Sequence, residues 1–314
     1  MMEAVVAIGV CFMRRIVFLF IIICVCSTGD AALAAHGHHF NGFDGIGAGS
    51  PPPEGFYWRM YNVHYTANQL KDNKGKKIPG DFRTNMFVVA NSFIYSTPVK
   101  ILGGNLWVQA VIPMIHADIS YEIYGIKPDV LNDRRFNLGD IVIDPLLVGW
   151  HGERWEAVAG VGMYMPTGEF KANKAASPGK GFWTIRNTLG GTVYFDKEKS
   201  WSASIQARYE IHTEQRETRT TPGHDFHFDW GVGKSFFNKL FTVGAAGFCS
   251  WQVTKDTGKN VANDYREQAF GIGPEIGFII PEWLFLVNLR VLKEFGNKNT
   301  MQGVTTALIF TKVF

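Results

Sequence analysis

WSASIQARYEIH, residues 201 to 212, alternates without a break: Trp201, Ala203, Ile205, Ala207, Tyr209 and Ile211 share one parity, and Ser202, Ser204, Gln206, Arg208, Glu210 and His212 the other. After a polar stretch the alternation returns in DFHFDWGVGK, residues 225 to 234, with Phe226, Phe228, Trp230 and Val232 opposed to Asp225, His227, Asp229, Gly231 and Gly233. A period of two means β-strands, whose successive side chains point to opposite faces. Length then separates two kinds of sheet. A strand of about twelve residues at about 3.3 Å rise, tilted by about 45°, covers the roughly 25 Å apolar band of an outer membrane, whereas globular strands run about five or six residues. The apolar parity then faces lipid and the charged parity a wet lumen.

Working outward, twelve strand-like runs are expected, at 55–67, 82–96, 101–117, 136–150, 155–166, 183–195, 201–212, 225–235, 241–254, 268–279, 284–295 and 303–314. Short connections at STPVK, HGER, DKEKS, FNK and PEW alternate with longer ones at 68–81, 118–135, 167–182, 213–224, 255–267 and 296–302. Short periplasmic turns alternating with long external loops are the plan of an outer-membrane barrel. Aromatic residues bracket the short turns, as Trp150 and Trp155, Phe195 and Trp201, Phe236 and Phe241, Trp283 and Phe285, and the terminal Phe314. Such rings suit the headgroup level of a bilayer. The fold expected is an all-β, transmembrane, up-and-down antiparallel β-barrel of about twelve strands over 55–314, with both termini in the periplasm. Runs 55–67 and 155–166 sort least well, because both parities are apolar or mixed.

Composition agrees. The 314 residues are 46% hydrophobic and 19% charged, which excludes a disordered chain, and 34 glycines with 25 phenylalanines suit glycine-turned strands with aromatic girdles. A net charge of +3 with scattered basic residues argues against nucleic acid as a partner. Met13-Arg14-Arg15, the apolar IVFLFIIICVC and the small residues Ala31 to Ala35 form the three regions of a secretory signal over 1–35, with Met13 as an alternative start and cleavage near Ala35 or His36. Only Cys249 then remains in the mature chain, so no intramolecular disulfide is expected. Residues 36–54, HGHHFNGFDGIGAGSPPPE, read as a periplasmic lead-in or small plug. His36, His38 and His39 offer copper or nickel a terminal cluster only under one cleavage choice, so this stretch is read as a flexible polar terminus without a metal.

PPPEGFYWRMYNVHYTANQLKDNKGKKIPGDF (51–82), FNLGDIVIDPLLVGWHG (136–152), MYMPTGEF (163–170), and YEIHT followed by DFHFDWGVG resemble the outer-membrane proteins labelled as meta-pathway phenol degradation proteins. The resemblance covers almost the whole mature chain. It implies a porin-like β-barrel transporter for aromatic or other hydrophobic compounds in the bacterial outer membrane.

No P-loop, G-x-S-x-G elbow, H-E-x-x-H or paired C-x-x-C occurs. The enzymatic rival is a barrel phospholipase, which needs a Ser, a His and an Asn together on the lipid-facing surface. Here His212, His227, Ser202 and Ser204 fall on the lumen parity. No catalytic residue and no cofactor is therefore expected. The expected partners are outer-membrane lipid and lipopolysaccharide, the barrel-assembly machinery and small-molecule solutes. A structural barrel with a closed lumen is the remaining alternative.

The solute path is assigned to Trp107, Asp140, Asp144, Tyr164, Arg186, Arg208, Glu210, His212, Asp225, His227, Asp229, Glu275 and Arg290. Aromatic faces there offer stacking, and the charges either pair across strands or filter solutes. For the hairpin at 201–235, charge favours a register in which facing residue numbers sum to 437. His212 then faces Asp225, Glu210 faces His227, and Arg208 faces Asp229. A slip by one residue would turn charges toward lipid at roughly 2 to 4 kcal/mol, against about 0.2 to 1 kcal/mol for a cross-strand pair. Histidines at this outer mouth are expected to titrate near neutrality and to make conductance depend on pH.

Overall fold

In the computed structural model the described residues are 37–122, 131–259, 261 and 266–314. The signal segment and the 123–130 loop lie outside them. Twelve long strands close on themselves among these residues. They are β1 (Gly55–Leu70), β2 (Asp81–Ile101), β3 (Gly104–Glu122), β4 in two parts (Leu131–Leu138 and Ile141–His151), β5 (Trp155–Met165) and β6 (Thr184–Tyr194), followed by β7 (Trp201–His212), β8 (Asp225–Phe236), β9 (Phe241–Gln252), β10 (Gln268–Ile280), β11 (Phe285–Lys298) and β12 (Met301–Val313). Each pairs antiparallel with its neighbours in sequence, and β1 pairs with β12, so the sheet has no free edge. Closure satisfies every ladder without water, which is what a bilayer demands of a strand.

Parity does what the sequence analysis expected. On β7 the charged positions Arg208, Glu210 and His212 are buried inward, while Trp201, Ile205 and Ile211 are exposed. Leu189, 68% exposed in the middle of β6, belongs to the same outer band as Ile185, Val193, Val232 and Ile272. Trp155, Phe195, Phe237, Trp283 and Phe314 form the girdle at the short-turn rim. Phe226, Phe228, Trp251, Phe270 and Phe295 make a second chain of ring contacts toward the long-loop rim. Lys312, at an outward position of β12, reaches the Trp283 carbonyl and the Phe314 ring, so its stem covers the girdle while its charge sits at the rim.

Three local expectations are corrected. STPVK is not a turn: β2 runs on through it, and the reversal is Leu102-Gly103, both with positive φ (50° and 81°). Two residues with φ > 0 match the twist of a tight hairpin, which the five-residue guess could not. The 296–302 loop shrinks to Asn299-Thr300 because β11 and β12 extend beyond the membrane band. The register of the central hairpin also differs. Asp225 lies opposite Glu210, His227 opposite Arg208 and Asp229 opposite Gln206, so facing numbers sum to 435, not 437. The side chains nonetheless form the expected pairs along the diagonal. His212 Nε2 is 3.1 Å from Asp225, His227 Nε2 3.3 Å from Glu210, and Arg208 Nη1 3.7 Å from Asp229. Diagonal neighbours in a sheet lie within reach of long side chains, so charge pairing tolerates a two-residue offset in the backbone. Glu210 also faces Arg186 on β6, a second neighbour absent from a two-strand argument.

Candidate functional site

The barrel's core is its lumen, and residues 37–54 run through it. His38 sits at the long-loop end, donating to Asp140 (2.9 Å) and bonded to Thr184 (2.7 Å). Midway, the Gly42 and Asp44 amides donate to the two oxygens of Asp229, and the Asp44 carboxylate pairs with Arg208 at 2.7 Å. Lower down, the Ile46 amide donates to Glu275 (3.0 Å) and Gly47 to Ser204 (2.9 Å). At the short-turn rim Ser50 donates to Thr192, and the Pro52 and Pro53 carbonyls accept from Ser96 and Tyr57. Glycine on either side makes room: a Cβ at Gly231 of the wall would collide with the Gly45–Ile46 backbone, and a Cβ at Gly49 of the segment would collide with the Gly191 backbone.

All the residues assigned to the solute path point inward, and the structure divides them into clusters. Asp144 and Arg186 form a buried bidentate pair (2.9 and 2.5 Å), and Arg186 also donates to the Tyr164 hydroxyl (3.3 Å). Asp144 reaches in from a bulge at Pro145, which cannot donate to the ladder. Tyr164 stacks on His38 at 4.7 Å between centroids. Glu275 and Arg290 face each other on β10 and β11 and are bonded at 2.8 and 3.2 Å. The third Arg290 donor reaches the Gly42 carbonyl at 2.6 Å. Asp140, between the two parts of β4, also accepts from the Gly168 and Lys180 amides and so holds the 166–183 loop over the mouth. Glu210, His212, Asp225, His227 and Asp229 line β7 and β8. Trp107 stands apart, on the opposite wall, beside Pro51 and Gly149.

That opposite wall is the part sequence reasoning missed. Tyr61 and Val63 on β1, Val88 and Ala90 on β2, Val111 on β3 and Ile309 on β12 are buried together against Phe40, Phe43 and Ile115. A cavity of about 850 Å³ runs along this wall and the 37–54 segment, and its lining also takes in Arg186, Arg208, Asp225, His227, Glu275 and Arg290 of the charged wall. Its lining reaches from Pro53, Leu286 and Val313 at the short-turn end to Lys180, Thr300 and Met301 at the other. Arg59, which donates to Thr311 and Tyr61, makes no ion pair among the described residues and lines the same cavity. The signal was present in the sequence: β1 was one of the two runs whose parities are both apolar or mixed, and an apolar inward parity in a barrel means an apolar stretch of lumen.

The outer surface does carry one His–Asn contact, His64 to Asn85 at 2.7 Å. The residues paired with His64 on the neighbouring strands are Phe87 and Thr306, so no serine stands opposite it.

A protein family described as "Putative MetA-pathway of phenol degradation" matches residues 67–310. No curated protein sequence matches the chain. Among solved structures, the COG4313 outer membrane channel from Pseudomonas putida F1 superposes with a TM-score of 0.73 at 11% identity, covering 88% of this chain and 100% of that one. The transport unit of the autotransporter AIDA-I from Escherichia coli gives 0.51 at 11% identity, covering 92% and 99%. At such identities the likeness is one of fold. Together with the lipid-facing band and its two girdles, it makes this chain a barrel of the bacterial outer membrane.

Proposed function

The chain belongs to the phenol-degradation family whose pattern spans residues 67–310, and from that premise we propose that it passes small hydrophobic or aromatic compounds across the outer membrane by passive diffusion. The observation that carries this is the cavity with two unlike walls. Tyr61, Tyr65, Val88, Val111 and Ile309 on one side offer rings and methyl groups, and Phe40 and Phe43 on the lumenal segment face them. An aromatic solute keeps apolar contact along this face. Apart from Arg59, which lines the cavity without an ion pair among the described residues, the arginines of this lumen are paired. Asp144–Arg186 and Glu275–Arg290 are neutralised within the wall, and Arg208 is neutralised by Asp44. They hold the segment against the polar half and leave the apolar half as the path. In this reading Trp107 and Tyr164 are stacking faces and the ionic residues are scaffold, with no catalytic role.

A second reading has support in the same contacts: residues 37–54 act as a plug, so the resting lumen is closed. Uptake by a deletion strain, compared with wild type over a panel of small aromatics and charged solutes, tests the first reading. Slower uptake confined to the apolar compounds is expected, and equal uptake of every compound refutes it. Single-channel recording separates the two readings, because a permanently plugged barrel gives no conductance steps.

A further inference from the structure

Three donors meet where the lumenal segment crosses β7 and β8. One donor atom each from His39, Glu210 and His227 lies within 4.8 Å of the others. The His39 and His227 rings stack at 3.7 Å, 16° from parallel. The side chains are 7%, 0% and 2% exposed respectively. Each also carries a buried polar atom without a hydrogen bond among the described residues: His39 Nε2, Glu210 Oε2 and His227 Nδ1. Buried polar atoms are nearly always partnered. His227 Nδ1 lies on the ring edge away from Glu210, but His39 Nε2, whose nearest carboxylate oxygen is 3.7 Å away on Asp229, and Glu210 Oε2 are left for a further partner, and the donor cluster they belong to indicates a ligand.

We propose that His39, Glu210 and His227 bind one divalent transition-metal ion of the zinc type, fastening the lumenal segment to the barrel wall. The donor chemistry selects the ion. Two imidazole nitrogens with one carboxylate oxygen is a zinc-type set, whereas calcium and magnesium take oxygen ligands. The His227 nitrogen that faces the carboxylate is Nε2, 3.3 Å from Glu210 Oε1, so an ion bound by both takes the place of the proton between them. Arg186 is held by Asp144, and Arg208 by Asp44 and Asp229, so Glu210 supplies the negative charge at the site. The neighbouring trio Glu210, His212 and Asp225 is also within 4.8 Å, but both His212 nitrogens are engaged, by Thr184 (2.7 Å) and by Asp225 (3.1 Å). Tetrahedral zinc with bonds of about 2.0 to 2.2 Å sets its donors about 3.3 Å apart, and near-parallel rings do not aim their in-plane lone pairs at one point, so binding draws the trio together and turns His39 out of its stack on His227. His39 supplies that movement because it sits on an irregular segment and not in a ladder.

The site is independent of which solute passes, and its test is equilibrium binding. Full-length mature protein, folded in detergent and stripped with a chelator, is titrated with zinc by calorimetry and with cobalt by visible absorption. One saturable equivalent and a tetrahedral cobalt spectrum are expected. His39→Ala, Glu210→Gln and His227→Ala should each weaken binding by more than about tenfold, since even outer-shell changes cost 10- to 100-fold. His64→Ala, outside the barrel, should leave it unchanged. Retained heat-shifted gel mobility certifies the fold of each variant. If His227→Ala does not fold, His39→Ala still decides, because its residue is not part of the wall. Absence of saturable binding overturns the proposal. So does binding lost in His39→Ala but retained in Glu210→Gln, which would place the ion on the chain terminus alone.

Discussion

Arg290→Met is the substitution whose effect follows most directly from the lumen's construction. Arg290 is 3% exposed and spends its donors on Glu275 at 2.8 and 3.2 Å and on the Gly42 carbonyl at 2.6 Å. Methionine fills much of the volume but leaves Glu275, itself 1% exposed, as a buried carboxylate without its partner. Removing one member of a buried pair costs about 3 to 5 kcal/mol. Glu275→Gln added to Arg290→Met removes that charge and keeps an acceptor for the Ile46 amide. What remains is chiefly the orphaned Gly42 carbonyl, at about 1 to 3 kcal/mol. The double variant should therefore be more stable than the single one by about 2 kcal/mol, a coupling that additive effects do not produce. Reversible urea unfolding of the barrel in detergent, followed by tryptophan fluorescence and gel mobility, measures both. A single variant that loses less than about 1 kcal/mol, or a double variant less stable than the single, refutes the account of these residues as a buried pair anchoring the lumenal segment.

Other outcomes follow from the same contacts. Removing residues 38–50 takes out the partners of Asp229, Glu275 and Arg208 and should raise single-channel conductance while weakening preference for aromatic solutes; unchanged conductance would show that the segment does not occupy the open path. Leu189→Arg puts a charge at the lipid-facing middle of β6 and should cost about 2 to 4 kcal/mol on folding into vesicles, whereas an unchanged yield and stability would argue against a bilayer around that face.

The alternation at 201–212 and 225–234 determined those strands and their faces, because a period of two is local, and the twelve runs joined by short and long connections in turn determined the barrel. It also put Glu275 and Arg290 in the lumen, and Asp225, Glu210 and Arg208 beside their basic or acidic partners, since charges excluded from lipid must share the lumen; that Glu275 faces Arg290 came from the structure. Tertiary structure alone decided the rest. The backbone offset of β7 against β8 was hidden because diagonal pairs serve charge as well as direct ones, and because Glu210 answers to Arg186 on its other side. The apolar wall emerged only once β12, β1, β2 and β3 were seen side by side, where inward Tyr61, Val88, Val111 and Ile309 meet. The path of residues 37–54 was beyond a local reading altogether. Glycine-rich and without a period of its own, that segment takes its conformation from Asp229, Glu275 and Ser204, residues far away in sequence that the closed barrel brings to one surface.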